Sequence, residues 1–93
     1  MRKDEDLVGR GQVCRGDAVV LNHVIYKITV VPGGAVFGEI KAPYYERLGR
    51  YVASSPADWL KLRLDDGRLV FFQLRRAETD PGGWGELEGR LSP

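Results

Sequence analysis

Cysteine is almost missing from this 93-residue chain. Cys14 alone cannot close an internal disulfide, and small secreted domains of this length usually rest on several. A reducing compartment, hence the cytoplasm, is the expectation. No run of roughly 18 apolar residues occurs, so no membrane-spanning helix is expected. Met1 to Asp6 mixes charges where a secretory signal needs an apolar stretch. Histidine is limited to His23. One His and one Cys make no four-ligand zinc site without two carboxylates or a second chain, so neither a metal nor a cofactor is expected. A nucleophile pair of Cys14 and His23 would also lack thiolate activation and an orienting third group. Catalysis is poorly supplied, and a non-enzymatic role is expected.

Length and motifs exclude more. A chain this short holds one modest core and no deep, lidded substrate cleft. Gly9-Arg10-Gly11 lacks the preceding strand and following helix of a phosphate-binding loop. No internal repeat or low-complexity segment is present.

Charge is nearly balanced overall but unevenly placed. Residues His23 to Arg76 carry nine Lys and Arg against five Asp and Glu, whereas Ala77 to Pro93 carry one against four. A mildly basic body with an acidic tail permits an anionic partner without requiring one.

The pattern of apolar residues reads as mainly β. Residues 1–16 are expected to form a flexible arm, 17–76 the barrel body, and 77–93 an acidic, Gly-rich segment able to supply a closing strand. Asp17 to Leu21 and Val24 to Val31 are dense in β-branched residues and read as paired strands about an Asn22-His23 turn. Pro32-Gly33-Gly34 marks a second turn, with a strand over Ala35 to Lys41 after it. Tyr44, Leu48, Tyr51 and Val52 recur at helical spacing and predict a short helix. Asp66-Gly67 between Trp59–Asp65 and Arg68–Leu74 predicts a hairpin. A two-residue turn there sets Leu64 opposite Leu69, Leu62 opposite Phe71 and Leu60 opposite Gln73, giving one apolar face. Short strands punctuated by Pro and Gly suggest a small SH3-like barrel of about five strands, or an OB-like one, with one short helix.

Two clusters are candidate binding sites. The hairpin's second face carries Trp59, Lys61, Arg63, Arg68 and Phe72, where aromatic planes alternate with cations as in sheets that bind single-stranded nucleic acid. If that face is covered, Phe72 is ordinary packing instead. Tyr45, Arg47 and Arg50 lie off the inward face of the predicted helix and form the second cluster. The favoured function is a small binding or assembly module that docks a protein partner or a second copy through the hairpin face. A nucleic-acid-binding module is the alternative.

Overall fold

The computed structural model describes residues 3–92; Met1, Arg2 and Pro93, the ends of the expected arm and tail, lie outside the described residues. Six strands, β1 (Glu5–Arg15), β2 (Ala18–Val30), β3 (Ala35–Lys41), β4 (Leu60–Arg63), β5 (Leu69–Ala77) and β6 (Trp84–Leu91), build a mainly β chain. They close into an antiparallel barrel in the order β1-β2-β3-β6-β5-β4. The two halves are three-stranded meanders, joined where β1 meets β4 and β3 meets β6. Closure removes the open sheet edges along these seams.

The extra strand comes from the expected arm. Residues 5–15 form β1, which pairs with β2 along its whole length and with β4 through Gln12, Val13 and Cys14. Its period-2 pattern is masked because Gly9 and Gly11, two of its less exposed positions, carry no side chain to signal burial. Asn22 and His23 make no turn either, since β2 runs unbroken through them. Both are exposed, and the register moves from Gly11 opposite Val24 to Val13 opposite Leu21. Two residues of β2 therefore face one of β1, a bulge that bends the strand.

The predicted helix shrinks to a single 3₁₀ turn, η1 (Leu48–Tyr51). Gly49 sits inside it, and only Leu48 is buried. Tyr44, expected to face inward, is 85% exposed.

The β4–β5 hairpin forms one residue out of the expected register. Leu60 stands opposite Phe72, Leu62 opposite Val70 and Arg63 opposite Leu69. Leu64 and Arg68 close a three-residue loop in which Gly67 takes φ of 90°. That loop, a tight turn followed by a left-handed glycine, adds one residue to the two-residue turn the Asp66-Gly67 pair suggests. A one-residue slip moves every side chain of the slipped strand to its other face. Val70, Phe72 and Leu74 thus point inward, each with 0% exposure, and pack with Leu60, Leu62, Val24, Tyr26 and Ile40.

Candidate functional site

The slip dismantles the predicted hairpin face. Phe72 lies in the core and is unavailable to a partner, while Phe71 takes its place outside at 36% exposure. Trp59, just before β4, is exposed, as is Arg63, and Lys61 is half-buried opposite Phe71. Arg68 is committed elsewhere: its guanidinium reaches Glu5 at 3.1 Å and Asp66 at 2.7 Å. Those carboxylates hold its pKa above the ordinary arginine value, Glu5 contributing most. The second cluster also loosens. Tyr45, Arg47 and Arg50 are exposed, but only Arg50 lies in η1, so no helix sets the three on one face. Tyr45 meets the edge of Tyr44, with ring centroids 5.2 Å apart.

A different constellation appears on the outer wall of β1, β2, β3 and β6. Arg10 stands opposite Ile25, Ile25 opposite Lys41, and Lys41 opposite Trp84, so one row crosses four strands. Neighbours in such a row sit about 5 Å apart. His23 and Lys27 flank Ile25 along β2 and are exposed with it. The ammonium of Lys27 lies over the Trp84 ring, 5.1 Å from its centroid, which holds the indole against the wall by a cation–π contact. Pro43, Tyr44, Pro81 and Gly82 rise beside the row, bounding a groove of about 510 Å³.

Among the described residues the ion pairs are Arg68 with Glu5 and Asp66, and Arg75 with Glu88. Arg10, Lys27 and Lys41 therefore face solvent without a carboxylate partner. The groove offers cations at its margins, an apolar floor at Ile25, and the exposed plane of Tyr44. Such a surface can hold an anion bearing a planar apolar group.

Sequence periodicity had no means of finding this row. Its members come from four segments spread over residues 10–84, and only the barrel's register aligns them. The available signal was the alternation of His23, Ile25 and Lys27 on β2.

Cys14 is buried and His23 exposed. No group of three His, Cys, Asp or Glu residues among the described residues could hold a metal ion. No helix among the described residues is long and apolar enough to cross a membrane.

The fold and surface thus define a closed six-stranded antiparallel β-barrel with an open, basic and aromatic outer groove. No family model, no curated protein and no solved structure matches this chain.

Proposed function

We propose that this protein is a non-catalytic binding module of the cytoplasm whose outer groove engages single-stranded nucleic acid. The observation that carries this reading is the row Arg10–Ile25–Lys41–Trp84, bordered by Lys27 and Tyr44. Unpaired cations about 10 Å apart across the row suit successive phosphates, and the exposed plane of Tyr44 suits an unstacked base. A duplex buries its base faces, so the aromatic component favours a single strand. The separation of buried Cys14 from exposed His23 supports a non-catalytic role, and an unpaired thiol supports a reducing compartment.

Fluorescence anisotropy with a labelled oligothymidylate, at low and at physiological salt, tests this directly. Binding is expected to weaken as salt rises, because phosphate contacts release counterions. Arg10→Ala and Lys41→Ala should each lower the salt slope by about one contact. Tyr44→Ala should cost about 1–3 kcal/mol through lost stacking. A protein that binds no oligonucleotide at low salt, or binds as well without Arg10 and Lys41, overturns the reading.

A further inference from the structure

We infer that a single strand held in the groove continues across the β1–β4 seam onto the outer wall of β4, β5 and β6, where Phe71 takes a base and Arg63, Lys61 and Arg90 take phosphates. The inference rests on the groove reading and extends its footprint. On this wall Lys61 stands opposite Phe71 and Phe71 opposite Arg90, one ring between two cations across three strands. The register that took Phe72 into the core thus gives the hairpin's outer face another ring, 36% exposed. Its two flanking cations stand about 10 Å apart, the spacing of Arg10 and Lys41 in the groove. Beside the ring a recess of about 490 Å³ opens between Gly34, Phe71, Arg90 and Leu91, with room for a planar group.

The seam joins the two surfaces. Gln12 stands opposite Arg63 and lies two residues from Arg10 along the outer side of β1, which sets Arg63 about 8 Å from Arg10. Gln12 is uncharged, and its side-chain amide donates to the Asn22 side chain at 2.8 Å. Arg63 and Lys61 then follow one another along β4, about 7 Å apart. Lys41, Arg10, Arg63, Lys61 and Arg90 form a belt about 35 Å long, and none of them is paired with a carboxylate among the described residues. Asp65, two residues past Arg63, turns its carboxylate to the inner side of β1, over Gly9 and beside the Tyr26 hydroxyl.

Charge and shape together select the occupant. Glu88 is spent on Arg75, so the wall around Phe71 is positive. A second copy of this wall would set cations against cations. An acidic peptide would match the charges and leave the ring unused. A single strand carries a planar group between successive charges and is long enough to follow the belt from end to end.

The test is fluorescence anisotropy, at low and at physiological salt, with labelled oligothymidylates of about four and about ten nucleotides, both within the site sizes that one small barrel covers. The shorter probe fills the groove, and the longer one also spans the wall. Phe71→Ala should weaken the longer probe about tenfold. Lys61→Ala and Arg90→Ala should each lower its salt slope by about one contact. All three variants should bind the shorter probe as the unaltered protein does, which also shows them folded. Arg10→Ala should weaken both probes, and Arg76→Ala, a cation opposite Glu86 and off the belt, should change neither. A protein that binds neither probe, or binds both as well without Arg10, overturns the groove reading and the continuation with it. Binding that needs Arg10, yet holds the longer probe equally well without Phe71, Lys61 or Arg90, overturns the continuation alone. So does a loss from Arg76→Ala equal to that from Lys61→Ala, or an oligoglutamate of equal charge that displaces the longer probe as well as unlabelled oligothymidylate does.

Discussion

The backbone N–H of Asp65 donates to the hydroxyl of Tyr26 across 3.3 Å, tying the β4–β5 turn to the middle of β2. Tyr26 is otherwise sealed in the core at 2% exposure. Tyr26→Phe removes the acceptor while keeping the ring. A loss of about 1 kcal/mol is expected in urea denaturation, with an unchanged denaturant slope.

The same residue makes stability depend on alkaline pH. Burial, more than the nearby Asp65 and Asp66 charges, raises the Tyr26 pKa above its ordinary 10.0. The folded state thus keeps a proton that the unfolded chain gives up first. The resulting stability is complete below pH 10.0 and is lost as pH climbs toward the higher folded value. Tyr26→Phe lacks this dependence, so its deficit against the unaltered protein should shrink above that pH. Parallel denaturation curves across the alkaline range measure it.

Two adjacent phenylalanines test the hairpin register. Phe72→Ala opens a cavity in the core and should cost about 3–5 kcal/mol. Phe71→Ala, on the outer wall, should cost under about 1 kcal/mol. The two-residue turn anticipated from Asp66-Gly67 predicts the opposite ranking, so thermal melts of the two variants separate the registers.

Gly89 sits where β6 passes tightly over β5. A Cβ there would collide with the Phe71 carbonyl oxygen and come within 2.6 Å of the Phe72 Cα. Backbone has no rotamer with which to yield, so Gly89→Ala must push the strands apart. A loss of about 3 kcal/mol, at the upper end for overpacked sites, is expected in the same melts.

Asp58 organises the loop before β4. Its carboxylate accepts from the Ser54 hydroxyl and N–H, both at 2.8 Å, and from the Ser55 N–H at 3.1 Å. The Ser54 hydroxyl is the largest cause of a pKa held below the ordinary 3.8. This contribution is present above pH 3.8 and is lost as pH falls through the lower folded value. In an NMR carboxyl titration, Ser54→Ala should move the Asp58 midpoint upward. The buried Gln73 amide, which donates to the Ser55 and Pro56 carbonyls, should shift with it.

The legible parts of the fold were those encoded locally. Val24, Tyr26, Ile28 and Val30 alternate inward along β2, and Pro32-Gly33-Gly34 turns the chain where its composition suggests. Leu60, Leu62 and Leu64 face the core as their spacing requires. Illegible were features set by partners remote in sequence. Gly9 and Gly11 carry no apolar signal, and β1 exists because β2 and β4 pair with it. Loop length at Asp65–Gly67 shifted β5 by one residue, enough to exchange Phe71 for Phe72 on the outer wall. For the candidate site, the types of residue were legible and their neighbours were not, since Arg10 and Trp84 meet in one row only after closure.

The place of β6 between β3 and β5 also bears on how the protein is made. A ribosome releases β3 and β5 before the strand that joins them, so the nascent chain carries two open edges until residues 84–91 emerge. The β3 edge has no neighbour in sequence to complete it, since β4 and β5 lie beyond β6, and premature pairing of β3 with β5 would expel β6 from its slot. β6 is therefore the keystone, and the interval before it emerges is when this barrel is most exposed to a chaperone or to a misassembled copy of itself.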